Sequence, residues 1–597
     1  MRRTFLSRRD LIGSTVGASA LSGALAAAAV PSSAPAKSAA GKTLLHRASI
    51  EAEIRRRAET CLADRYLVAD YYRIRWHLAY RLPVESLSIP PIPVPTVPDY
   101  PWTIWMLWAL EERLNSLGWA AEWFKEDNCV RSASRELEAL ASWPKYCQYD
   151  SRPDLCSAHA GRLMWTAYTQ WHWLGDATRK KIRTACARHV EEVLPRMDKY
   201  YGPIQSKEDL LALPSPDGKL DNIPLIGTAG AALTAKVAGH PASATLNRKV
   251  LAVMGAILEL RSKGHTEGVA YDGYILDFVA DWLAAIPAGE RNEIIEHPNL
   301  RHCLEESYTL PAPGAIEDVA AIGDVEPKEM PFHYSAQAKL ERLKPDPARA
   351  WYLPRWRVER IRADALAALH PIAGKLNGAA PRPGAMNAHY AMVLRTGWET
   401  ADVAVAMSCP NTGMGHLQND SGTVVVGTRG RWIISDPGYQ QYMQGPEREF
   451  TVGPAAHNYP VINGAAQTSK QPRLMPHDQN QPDLPRTKVE LAACYPPAAG
   501  VSSAIRTVWL NGREGVVIAD EIQAGRVKSL GYHWHGHPDA AWWCENGWVL
   551  LHLPEVDLWF TSPQARLSPA NIARLPGSRG QLTLEAQIDP SRSVVWW

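Results

Sequence analysis

Residues 413–422, GMGHLQNDSG, set His416, Gln418 and Asp420 among three glycines, directly before the strand pattern TVVVGTRGRWIISD. So many polar groups at a strand approach either cap a tight turn or face a substrate. Three further clusters raise the same question. RWIISDPGYQQY puts Asp436 and Tyr439 at a strand end, and AHNYPVINGAAQ carries His457, Asn458, Asn463 and Gln467. HTEGVAYDGYILDF holds Glu267, Tyr271 and Tyr274, with Asn222 upstream in DNIPLIG. Tyrosine and histidine can move protons, and amides can hydrogen-bond a carboxylate. Each cluster also has a plain reading. Asp436 before Pro-Gly closes a turn, Asn458 caps one, and Tyr271 and Tyr274 are helix-face aromatics with satisfied hydroxyls. A separate group, YHWHGHPD, places His533, His535 and His537 on one face of a strand, either as a zinc or copper trio or as a polar strand face.

The elements that must position these groups fall into two runs. From about residue 44 to 377 the pattern is helical, opening with HRASIEAEIRRRAETCLADRYLVADYY and broken by the extended, proline-rich crossing SIPPIPVPTVPDYP. In WTIWMLWALEERLNSLGWAAEWF, residues Trp102, Trp105, Leu110, Leu114 and Leu117 recur at helical spacing. Further amphipathic pairs follow through NIPLIGTAGAALTAKVA, ATLNRKVLAVMGAILELRSKG and YILDFVADWLAAI. Long arrays of paired helices close around an axis, so an incomplete (α/α) toroid is expected over 44–377. The segment GDVEPKEMPFHY, residues 323–334, lies between the domains, as a structured linker or a rim to the cleft. Past GAAPRPGAMN the period becomes alternating, and 386–597 is expected to form an antiparallel β-sandwich. Asn511-Gly512 reads as a two-residue hairpin turn, and QTSKQPRLMPHDQNQPDLPR as a long surface insertion.

At 597 residues with 46% hydrophobic and 21% charged side chains, the chain has the composition of an ordinary two-domain globular protein. A net charge of +2 gives no reason to expect nucleic acid or an acidic membrane surface as partner. Twenty-three tryptophans are unusual, and indoles stack on the apolar faces of sugar rings. Residues 1–38 read as a twin-arginine-type signal and linker: SRRDLI precedes a mildly apolar run too diluted by Gly, Ser and Thr to span a bilayer. This implies a periplasmic or secreted protein with no membrane span after signal removal. The nine scattered cysteines form no CxxC and are expected to be small buried residues rather than a disulfide framework.

HLQNDSGTVVV, then WIISDPGY, then AHN before a hydrophobic strand, resembles the core of the heparinase II/III family of polysaccharide lyases. Fainter matches are Asn222 and the Tyr271 of EGVAY. The resemblance covers most of the mature chain. It implies an α/α toroid joined to a β-sandwich, with uronate-containing polysaccharide cleaved between them. In that reaction the C5 proton of a uronate is removed and the oxygen on C4 is expelled, leaving a 4,5-unsaturated end. The C5–H is acidic enough only when the neighbouring carboxylate is neutralised and the developing enolate stabilised. The resemblance implies Asn222 for the carboxylate, Tyr271 as base, acid or both, and His416 as partner in proton abstraction or carboxylate stabilisation. Tyr439 is added to the catalytic set. Tyr274 is the fallback one helical turn along, and Gln418, His457 and Asn458 join it as substrate-binding residues.

No cofactor is required by this chemistry. Some relatives hold a structural zinc through a histidine two residues after the catalytic one, an aspartate and a later histidine. Here those positions are Gln418, Asp436 and His457, which disfavours zinc and leaves Asp436 and His457 as ligands of a possible harder divalent metal. Two other functions compete. An α/α-toroid glycoside hydrolase needs paired carboxylates, which Asp272, Asp277 and Asp281 would supply unless they form a solvated helix face. A carbohydrate-binding protein would keep the fold without the convergent Tyr/His/Asn set. The near balance of 64 basic and 62 acidic residues argues mildly against dedicated binding of densely sulfated chains.

Overall fold

The computed structural model describes residues 45–64, 66–71, 78–83, 102–325, 331–387, 390–410, 416–438, 445–468, 472–475, 486–513, 515–525, 527–567, 572–573, 583–589, 591 and 594–597. The expected leader and proline-rich crossing, Tyr439 and most of the expected 467–486 insertion lie outside these residues.

Among the described residues, six inner helices make a ring, each packed on the next and the last returning to the first. They are α1 (Trp102–Phe124), α2 (Leu155–Gln170), α3 (Asn222–Ala238), α4 (Val269–Ala285), α5 (Pro331–Leu343) and α6 (Ala363–Leu369). Helices Arg47–Ala63, Asp127–Ala141, Asp176–Tyr201, Ser243–Arg261 and Pro298–Thr309 form an outer layer. The molecule is thus an α/α toroid followed by antiparallel sheets. Two expectations need correction. The opening helix stops at Ala63, and Tyr66–Tyr71 instead pairs as an antiparallel strand with Leu78–Pro83. The 323–334 segment does not end the helical domain, because its second half starts α5.

A buried charge network joins five of the six inner helices. Arg162 of α2 grips both oxygens of Glu111 of α1 at 2.9 and 2.7 Å and reaches Asp277 of α4 at 2.5 Å. Lys339 of α5 contacts Asp277, Asp281 and Asp364 at 2.6, 2.7 and 2.9 Å, and Arg362 reaches Glu111 at 3.0 Å. Asp272 is also buried and receives the Arg261 guanidinium at 2.5 Å. Asp272, Asp277 and Asp281 are therefore neither a solvated face nor a free carboxylate pair. Charges taken out of water persist only when paired this completely.

The sandwich begins with β1 (Gly384–Asn387), β2 (Ala391–Arg395), β3 (Val403–Ser408), β4 (Val424–Thr428) and β5 (Arg431–Ser435), an antiparallel run in one large sheet. Three strands outside it are β6 (Arg486–Glu490), β7 (Val501–Asn511) and β8 (Gly515–Ala524), while β9 (Leu530–Gly536) extends the large sheet beside β5. β10 (Val594–Trp596) lies at one edge of the second sheet, beside β8, and the short strand Arg473–Leu474 at the other, beside β6. Strand β3 is buried on both faces. Ala404 and Ala406 pack toward the toroid, whereas Val403, Val405 and Met407 join the core shared with the second sheet. The layers therefore run toroid, large sheet, second sheet. Asn511 pairs with Gly515, so the β7–β8 turn has one residue more than the two expected, with Gly512 at φ +65°. All nine cysteines are free thiols, seven of them buried.

Replacing Lys339 with Met should leave three carboxylates short of a cation and cost about 3–5 kcal/mol, read as a lowered urea midpoint.

Candidate active site

Helix α4 starts at Val269, which puts Tyr271 in its first turn, at the mouth of the toroid, and Tyr274 one turn deeper. The loop before it is fixed from within the helical domain. Asp272 accepts from the Thr266 hydroxyl and from the Glu267 backbone N–H at 3.3 Å, and Gly268 turns at φ +88°, a conformation that favours glycine. A Cβ at Gly273 would lie 2.5 Å from the His333 ring, so α4 and α5 approach too closely for any side chain there. The sandwich adds its own clamp: the buried Tyr390 hydroxyl accepts from the Val269 N–H at 3.0 Å.

Glu267 is held against α3. Its two oxygens accept from the Asn222 backbone N–H at 2.8 Å and from Asn222 Nδ2 at 2.7 Å. The Oδ1 of Asn222 makes no hydrogen bond among the described residues. Burial pushes the Glu267 carboxyl up to about 7, the nearby His416 pulling the other way.

From the sandwich side comes the segment 416–422. His416 is half-buried and lies flat on the Tyr271 ring, centroids 3.5 Å apart at an interplanar angle of 8°. Its Nε2 is 3.6 Å from the Glu267 oxygen that also receives Asn222, and its Nδ1 is 3.2 Å from Asp324 Oδ2. The imidazole thus lies between two carboxyl groups, Asp324 at Nδ1 and Glu267 at Nε2. Asp324 also accepts from Gln418 Nε2 at 3.0 Å, its own backbone N–H donates to the His416 carbonyl at 2.9 Å, and Arg448 lies 4.0 Å away. Thus Asn222, Tyr271 and His416, far apart in sequence, come together through Glu267 and Asp324. Glu267 stands out in the sequence without a role, and Asp324 lies in a segment that reads only as linker or rim. Arg448 carries no sequence signal at all.

The remaining predicted residues are placed otherwise. Tyr274 is buried, its hydroxyl hydrogen-bonded to His159 and receiving Trp108 Nε1 at 3.2 Å, so it faces the toroid core and not a substrate. Asn458 is a buried crosslink: its amide donates to the Val424 and Ser435 carbonyls at 3.0 and 2.7 Å and accepts from the His535 N–H at 2.9 Å. His457 is also buried, with Nδ1 2.9 Å from Asp436 Oδ2. Burial opposes its charge, but the Asp436 carboxylate prevails and raises its pKa. Gln418 is buried and buttresses Asp324.

These residues do not fit the metal that the resemblance suggests. Asp436 is taken up by His457 and by the Gly438 N–H at 2.8 Å, Gln418 points to Asp324, and no three His, Cys, Asp or Glu side chains gather for a metal among the described residues. The His533 trio fares no better. The His535 ring is bound between the Ala455 carbonyl and the Thr583 hydroxyl, at 2.8 and 3.0 Å.

Because the folded Glu267 holds its proton to a higher pH than the ordinary 4.5, stability falls as pH rises from about 4.5 through 7. Relative to Glu267→Gln, the parent chain should lose on the order of 3 kcal/mol across that window, read from urea midpoints at pH 4.5 and 8.

The sequence matches the heparinase II/III-like, C-terminal family over residues 379–590. No curated protein sequence matches the chain. Among solved structures it superposes on heparinase III with a TM-score of 0.57 at 12% identity, over 82% of this chain and 76% of that one. It superposes on heparan sulfate lyase HepC from Pedobacter heparinus with a TM-score of 0.54 at 12% identity, over 91% and 82% of the two chains. At this identity the likeness to the solved structures is one of fold. Residues 379–590 therefore match a heparinase II/III-like C-terminal domain, and the chain as a whole shares the toroid-and-sandwich fold of heparinase III.

Proposed function

We propose that this chain is a polysaccharide lyase that cleaves a uronate-containing polymer by β-elimination at the junction of its two domains. The observation that carries the reading is the Tyr271–His416 stack, one ring from each domain, beside the Asn222–Glu267 pair. Elimination needs a base near C5 and an acid near the oxygen on C4, two adjacent atoms of one sugar ring. Two stacked rings 3.5 Å apart offer a phenol and an imidazole on that scale. The proton leaves C5, the electrons of that C–H bond form the C4–C5 double bond, and the C4–O bond breaks with a proton delivered to the departing oxygen. Tyr271 supplies that last proton. Two rings in direct contact reach the sugar from one side, so the C5 hydrogen removed lies on the same face as the leaving oxygen, and Tyr271 takes it with His416 as its partner in the abstraction.

Asn222 acts on the substrate carboxylate, an amide being able to stabilise the enolate without adding a charge of its own. Glu267 holds the Asn222 amide and faces Nε2 of His416; its raised pKa lessens the negative charge it sets beside the substrate carboxylate. Asp324 holds the imidazole in place, as a positioning residue. The twin-arginine-type pattern SRRDLI at the N-terminus supports a periplasmic or secreted location for this activity. No helix among the described residues is long and apolar enough to cross a membrane. The hydrolase alternative loses ground because its candidate carboxylates are consumed by Arg162, Lys339 and Arg261.

Incubation with a panel of glucuronate, mannuronate and galacturonate polymers should raise ultraviolet absorbance as unsaturated ends form. New reducing ends without absorbance would show hydrolysis instead. Tyr271→Phe should lower turnover about 10²–10⁴-fold while polymer binding changes little.

A further inference from the structure

The second sheet of the sandwich turns its outer face away from the toroid, and that face carries an open basin of about 280 Å³. Strand register explains its shape. Lys488, Thr507, Ala519 and Trp596 lie side by side across β6, β7, β8 and β10, and Arg486, Trp509 and Val517 form the next row. Small side chains, Thr507 and Ala519, therefore make the floor, while two indoles and two cations stand around it. Trp509 and Trp596 meet at 88° with centroids 5.7 Å apart, so the two indoles present differently oriented surfaces. Glu521 is the one carboxylate among the lining residues. Thr507 is 5% exposed, lines the basin, and its hydroxyl makes no hydrogen bond among the described residues.

We propose that this basin is a second carbohydrate site, binding one uronate residue of the polymer at a distance from the catalytic junction. The assignment rests on the polysaccharide reading above for its ligand class, and on the basin itself for the rest. Arg486 and Lys488 are placed for a carboxylate, the arginine being able to take both oxygens. An indole face receives the apolar face of a pyranose, Thr507 keeps the floor low enough to admit it, and Glu521 answers ring hydroxyls. The volume lies just below the roughly 300–1,000 Å³ of small-molecule sites, the size of one sugar ring and not of a chain. With the large sheet lying between basin and toroid, the site would tether polymer while a different stretch is cut, raising the local substrate concentration through a second point of attachment.

The test is calorimetric titration of the full-length chain, carrying Tyr271→Phe to stop turnover, with glucuronate, mannuronate and galacturonate tetrasaccharides and their carboxyl-reduced counterparts. Two sites are expected for the best acidic tetrasaccharide. The paired change Arg486→Gln and Lys488→Gln should weaken one of them at least tenfold, and Trp596→Leu should weaken the same one. In the active background those variants should keep kcat on tetrasaccharide and raise KM on polymer only. Binding at a single site, untouched by all of these changes in chains with unaltered melting temperature, overturns the proposal. So does equal binding of the carboxyl-reduced sugars at the basin. Basin binding that persists while no polymer is cleaved would sink the lyase reading and leave this one standing.

Discussion

Asp324 is the contact on which the functional architecture turns. Its carboxylate belongs to the helical half, yet both of its oxygens accept from the sandwich, one from His416 and the other from Gln418. That arrangement fixes where the imidazole sits. Without it, a loop reaching across from another domain would have to find Tyr271 by packing alone. The cost of ordering such a loop is met by several small anchors. Ser408 donates to Asp420 at 2.7 Å, Gln467 to the Ser421 carbonyl at 2.9 Å, and the buried Arg506, paired with Asp520, to the Gly422 carbonyl at 2.5 Å.

The same logic governs the toroid side. A ring of helices gives a rigid frame, but its centre is filled with charge as well as with hydrocarbon. The Glu111–Arg162–Asp277–Lys339 chain ties helices together with directional bonds, and Tyr274 belongs to this interior through His159 and Trp108. One turn nearer the mouth, Tyr271 escapes it. A rise of about 1.5 Å per residue makes that difference only some 4.5 Å, enough to separate a core phenol from one at the domain junction.

This explains how much of the site was legible. Helical and alternating periods located both halves, the resemblance in HLQNDSGTVVV led to His416, and the fainter matches in DNIPLIG and EGVAY to Asn222 and Tyr271. What the sequence could not convey was partnership. Asp324 lies 92 positions from His416, and nothing local marks it as a hydrogen-bond acceptor for that ring. Asn458 and His457 are polar residues near a site in sequence, but the sandwich spends them on its own strand carbonyls and on Asp436. Asp277 and Asp281 likewise look solvated until their cations arrive from helices 58–115 residues away. Residue type tells what a group can do; only the fold tells which neighbour uses it.

The central claim is that a phenol from the helices and an imidazole from the sheets act as one catalytic unit. A double-mutant cycle on kcat/KM, with Tyr271→Phe, His416→Gln and the two combined, tests it most directly. If the rings serve a single step, the combined variant should be no slower than the poorer single variant by more than a few-fold. Losses that multiply in full would show two independent contributions and contradict the account.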